Sequence, residues 1–173
     1  MVLHMIFYIV AVLMANYTAI WFIPMPIFGM LSVGTLIFGF TFTQRDRVHR
    51  FGRKMVYLMI FIAAVGMVLE SLFLGVEWRI IAASFIAIVL SETADTEVYH
   101  RLLQHSWMKR VIGSNLVSIP LDSLLFNLIA FAGVFAPAML AAIIFGEIVT
   151  KFATGALAAL WRSQGATRQL RAA

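Results

Sequence analysis

The chain has 173 residues, 62% of them hydrophobic and only 12% charged, with a mean hydropathy of +0.96. A soluble domain is roughly half apolar and about a quarter charged, so this composition excludes a water-soluble globule of this size. The net charge of +5 speaks for membrane topology rather than nucleic acid, and the absence of Cys excludes a disulfide framework or a thiolate metal site.

Bilayer-crossing helices need roughly 17–25 mostly apolar residues. Runs of that kind cover about 3–22, 27–43, 55–74, 78–98, 110–132 and 137–161. The first follows "MVLH" with neither a basic leader nor a small-residue cleavage site, and reads as a retained span. Its Ala11, Ala15 and Ala19 recur at four-residue spacing, a surface suited to close helix contact and a candidate face for a separate energising module. Pro24 and Pro26 in "FIPMPIF" interrupt helix between the first and second runs. Gly75 closes the third run, and "GVFAP" with Pro137 separates the fifth from the sixth.

Basic residues orient these spans. The second-to-third connection holds Arg45, Arg47, Arg50, Arg53 and Lys54; the fourth-to-fifth holds Arg101, Lys109 and Arg110; the tail holds Arg162, Arg168 and Arg171. The opposite connections hold only Arg79. Six spans with both termini cytoplasmic put every basic cluster on one side, as the positive-inside rule requires. Strand-like alternation is absent, which argues against a barrel. The expected fold is an all-α integral membrane protein with six transmembrane helices over residues 1–162 and a short basic cytoplasmic tail over 163–173.

Ionised groups inside an apolar run cost about 2.5–3.5 kcal/mol each at mid-bilayer, so they normally face a bundle interior or a polar cavity. In "SETADTEVYH" Glu92, Asp95 and Tyr99 fall on one helical face. In the fifth run Asn115, Ser118 and Asp122 share a face, and in the sixth Glu147 and Lys151 are an i, i+4 pair in the favourable order. These groups reach overlapping depths and predict a carboxylate-rich intramembrane cavity with aromatic walls. Blander readings apply to several of them: Glu147–Lys151 as a self-neutralising pair, Glu97 as an interfacial charge, and Ser118 bonded to its own helix. Asn16 fits helix packing as well as a site. The four histidines show no metal-like pairing, so neither a metal nor a cofactor is expected.

Three stretches, "GTLIFGFTFTQRDRVHRFGRK", "SETADTEVY" and "SNLVSIPLDSLLFNLIAFAG", jointly resemble the VUT family of small membrane proteins, associated with uptake of queuosine precursors. The marks that carry the resemblance are Arg45-Asp46, Glu92, Asp95, Tyr99, Ser114-Asn115 and Asp122-Ser123. It implies a bacterial inner-membrane importer of 7-cyano- or 7-aminomethyl-7-deazaguanine, with a bundle similar to the substrate-binding subunits of energy-coupling-factor vitamin transporters. Glu92 and Asp122 are then the expected principal carboxylates, with Asp95 and Asn115 as accessory partners. Asn115 or Lys151 would donate to the base carbonyl, and Tyr99 or Phe126 would stack on the ring. Arg45-Asp46 stands as an inner gate or a topogenic charge. Nucleotide-binding motifs are absent, so any energising module or second copy would be a separate chain. A vitamin-binding subunit is the alternative, and an intramembrane enzyme is disfavoured by the missing H-E-x-x-H and G-x-S-x-G patterns.

Overall fold

The computed structural model describes residues 1–171, with side chains for residues 1–42 and 44–157. Six helices follow the apolar runs: α1 Val2–Tyr17, α2 Val33–His49, α3 Arg53–Leu74, α4 Trp78–Arg101, α5 Trp107–Phe131 and α6 Pro137–Arg171. The arginines at 162, 168 and 171 and the tail side chains lie outside the described side chains.

The largest departure from the sequence reading is at residues 27–32. Instead of opening α2, they return as the second strand of a hairpin, β1 Phe22–Met25 with β2 Gly29–Ser32. Phe22 pairs with Ser32 and Met25 with Gly29. Pro24 and Pro26 lack the N–H that a helical nucleus needs, and Gly29 supplies the positive φ of 70° that turns the chain back. Helix begins only where Ser32 can cap it, accepting from Gly34 N at 3.1 Å and donating to the Ala19 carbonyl at 2.8 Å. The delayed start moves the whole of α2 along the chain, so that it runs to His49 and takes Arg45 and Asp46 into the helix.

The helices pack in a closed ring, in the order α1, α2, α6, α5, α4, α3 and back to α1, with the most extensive contact between α4 and α5. Glycines set the closest approaches. A Cβ on Gly34 would collide with the α1 backbone at Ala15 and Ala19, and one on Gly39 with the Thr154 side chain of α6. Ala15 and Ala19 are therefore buried against α2 inside the bundle, which corrects the expectation that this alanine face is free for an outside partner. Arg79, the lone exception to the charge asymmetry, closes the end of α5 by donating to the Ile129 and Ala132 carbonyls at 2.8 and 2.5 Å.

Apolar side chains cover the outside of the ring: Leu3, Phe7 and Met14 on α1 and Phe61, Leu72 and Phe73 on α3 are all exposed. Inside, Tyr8, Val12, Phe42, Val56, Met59 and Ile119 form one packed cluster. Charged residues share that interior, an arrangement suited to lipid outside and polar contacts within. Among the described residues, α3, α5 and residues Pro137–Leu157 of α6 are long and apolar enough to cross a membrane. At 16 and 17 residues, α1 and α2 are shorter, and α4 carries its carboxylates within the span.

Candidate functional site

Two buried clusters of charge occupy the ring. In the first, Arg45 of α2 is fully buried. Its Nη1 donates to Glu92 Oε2 at 2.8 Å, and Nη2 lies 2.9 Å from Asp95 Oδ2. Nη2 also reaches Asp46 Oδ1 and Asn115 Oδ1, each at 3.4 Å. Ser118 donates to the other Asp95 oxygen at 2.8 Å. One planar guanidinium thus ties α2, α4 and α5 together, a task that a point-charged ammonium could not do in the same geometry. Beside it Tyr99 packs on His49, with ring centroids 4.4 Å apart, and the Arg110 guanidinium lies 5.3 Å from the tyrosine ring.

The second cluster is built on Lys151 of α6, also buried. Its Nζ donates to Asp122 Oδ2 at 2.9 Å, Ser123 Oγ at 3.0 Å and Glu147 Oε2 at 3.2 Å. An ammonium has three N–H groups, so all of its donors are engaged. Asp122 Oδ1 accepts from Ser91 at 3.2 Å, whereas Glu147 Oε1 has no hydrogen-bond donor. Helix spacing explains the convergence. Glu147 and Lys151 are one turn apart on α6, and Asp122 and Phe126 are one turn apart on α5, so each pair presents a single face. Pro120 sits inside α5 between Ser118 and Asp122, removing a backbone donor from the turn that separates the two clusters.

A cavity of about 30 Å³ lies against this second cluster. Every helix except α3 contributes to its wall, as does Ser32 of the hairpin. Its polar lining includes Asn16, Ser84, Asp122, Glu147 and Lys151, and Phe38 and Phe126 form aromatic walls. Ser84 bonds to the Asn16 side-chain oxygen Oδ1, while Asn16 Nδ2 makes no full hydrogen bond and has the Glu70 carboxylate as its interaction partner. Small-molecule pockets usually measure roughly 300–1,000 Å³, so this one is contracted and must widen to take a guest.

Of the residues expected at the site, the structure brings Asp122, Lys151 and Phe126 to the cavity. Glu92, Asp95 and Asn115 gather instead on Arg45, and Tyr99 stands in the His49–Arg110 stack rather than on a cavity wall. The Lys151 donors are engaged internally, and Asn115 turns its oxygen to Arg45. Sequence reasoning underweighted three residues. Arg45 reads from sequence as an inner-gate clamp or a topogenic charge at a helix end, because the run of α2 is expected to stop before it, and not as the centre of a buried cluster. Asn16 and Glu147 were each balanced against a structural role, and an amide or a carboxylate deep in an apolar run was the signal that could have raised them.

A sequence model of the family described as "Putative vitamin uptake transporter" matches residues 32–162. The match extends from the cap of α2 into α6 and takes in both charge clusters, leaving out α1 and most of the hairpin. No curated protein and no solved structure matches the chain.

Proposed function

The chain belongs to the vitamin uptake transporter family, and on that premise we propose that it imports a queuosine precursor, 7-cyano- or 7-aminomethyl-7-deazaguanine, across the bacterial inner membrane. All six helices span in this reading, with both termini cytoplasmic; residues 1–162 form the transmembrane unit and 163–173 its tail. The one-sided placement of the basic connections supports that topology.

One observation carries the substrate site: a central cavity whose lining includes Glu147, a buried carboxylate with one oxygen, Oε1, lacking any donor, together with the amide of Asn16. Leaving such an atom unpaired costs about 1–3 kcal/mol, a cost that a complementary guest removes. A deazaguanine brings N–H donors for a carboxylate, a carbonyl for an amide N–H, and a flat ring for Phe38 and Phe126. Asp122 and Lys151 complete the polar wall.

Transport then requires the two clusters to act in turn. The cavity opens by separation of the ring helices and closes over the base. The Arg45 assembly with Glu92, Asp95, Asp46 and Asn115, together with the Tyr99 stack, is the barrier that must loosen for release. The guest drives this only through tighter contacts in one arrangement than in the other.

Equilibrium binding of radiolabelled deazaguanine to the purified full-length protein tests the site. Asp122→Asn is expected to weaken binding by about 10–100-fold, about 1.4–2.7 kcal/mol, while Glu92→Gln leaves binding within a few fold and slows uptake into sealed vesicles. Wild-type affinity in Asp122→Asn would remove the site assignment. Absence of deazaguanine binding to the wild type would remove the substrate.

A further inference from the structure

We infer that the preferred guest of the central cavity carries a protonated amine. The inference rests on the uptake reading above and narrows its substrate to the cationic member of the pair.

The argument is an account of donors and charges around the cavity. Lys151 is the cavity's cation, and its three N–H groups are engaged by Asp122, Ser123 and Glu147. Both oxygens of Asp122 are met, one by Lys151 and one by Ser91. Glu147 has one oxygen on Lys151, and its second, Oε1, receives no hydrogen bond although the residue is only 1% exposed. Two carboxylates therefore face one ammonium, with the unbalanced charge at Glu147.

The neighbouring cluster does not correct the imbalance. Its buried arginine, Arg45, is already shared by Glu92, Asp95 and Asp46. The uncharged edge of a deazaguanine can donate to Glu147 but cannot neutralise it. A protonated amine does both, and the Phe38 ring on the cavity wall, 5.4 Å from Lys151 Nζ, already shows an aromatic face beside a cation there. A nitrile in the same place offers only a lone pair, directed against a carboxylate oxygen.

Binding of the aminomethyl and cyano compounds to the full-length protein, each measured directly, decides the matter. The aminomethyl compound is expected to bind at least about 10-fold more tightly to the wild type. In Glu147→Gln that preference shrinks to about 2-fold or less, chiefly because the amine loses affinity. In Asn16→Ala, which leaves the charge in place, both compounds weaken and the preference stays. Equal or tighter wild-type binding of the cyano compound overturns the inference and leaves the uptake reading standing. A preference that survives intact in Glu147→Gln overturns it too. Binding of neither compound defeats the uptake reading and the inference with it. The wild-type comparison needs no variant, so poor folding of Glu147→Gln cannot shield the inference.

Discussion

The Arg45 and Lys151 clusters are built from the same ingredients, a buried cation and carboxylates drawn from neighbouring helices, yet they are finished differently. The arginine's fork reaches Glu92 and Asp95 on α4 and Asn115 on α5, with Asp46 beside it on α2. The lysine engages all its donors and still leaves Glu147 Oε1 unmet beside a cavity. Buried charge by itself does not mark a binding site, because a charged knot that ties helices together costs desolvation just as a ligand site does. Both clusters keep unmet polar atoms, Glu92 Oε1 and Arg45 Nε in the first and Glu147 Oε1 in the second, so the distinguishing feature is the adjacent space. On that criterion the first cluster is a clasp and the second is a seat.

Substitutions that treat the two clusters alike should return different answers. The largest effect is expected for Arg45→Met, which leaves Glu92, Asp95 and Asp46 buried without a cation and should cost about 3–5 kcal/mol in denaturant unfolding of the detergent-solubilised protein. Adding Glu92→Gln and Asp95→Asn to that variant should recover much of the loss. Lys151→Met should cost less, about 2–3 kcal/mol, because the cavity lets water or a rotamer change relieve Asp122 and Glu147; here binding, not stability, should fail first. A Lys151 variant as unstable as the Arg45 variant would erase the distinction between clasp and seat.

A paired serine experiment sharpens the contrast. Ser118→Ala removes the donor to Asp95, and Ser91→Ala removes the donor to Asp122. Each should lower stability by about 1 kcal/mol, but only Ser91→Ala should weaken ligand binding in the same titration. The smallest effect belongs to Glu97→Gln. Its carboxylate meets Arg53 at 3.0 Å, yet the two side chains are 39% and 45% exposed. The expected change is the smallest of the set and diminishes in high salt, a control showing that burial rather than pairing gives the inner clusters their weight.

Much of the architecture was legible before any coordinates. Apolar runs, Gly75 and Pro137 are local signals, and the helices of residues 53–74, 78–101 and 107–131 lie within a few residues of the expected runs. The hairpin was not legible, because four-residue strands such as "FIPM" and "GMLS" carry little pattern of their own and exist by pairing with each other. That one local miss propagated. With α2 beginning at Val33 rather than near Ile27, Arg45 moves from a helix end to the interior, and Glu92 acquires a partner that the sequence did not propose for it.

The sequence by itself determined that this is a helical protein with apolar surroundings, which family it resembles, and which polar residues share a helical face, because hydropathy, turn residues and the 3.6-residue period all act within a short stretch of chain. Only the tertiary structure decided that Glu92 and Asp95 close on Arg45 while Asp122 and Glu147 share Lys151 beside the cavity. A helical period says which side chains point the same way, but the partner across the ring depends on how far each helix slides along its neighbours. That registry is set by non-local contacts such as Gly34 against Ala15 and the Ser32 bond to Ala19.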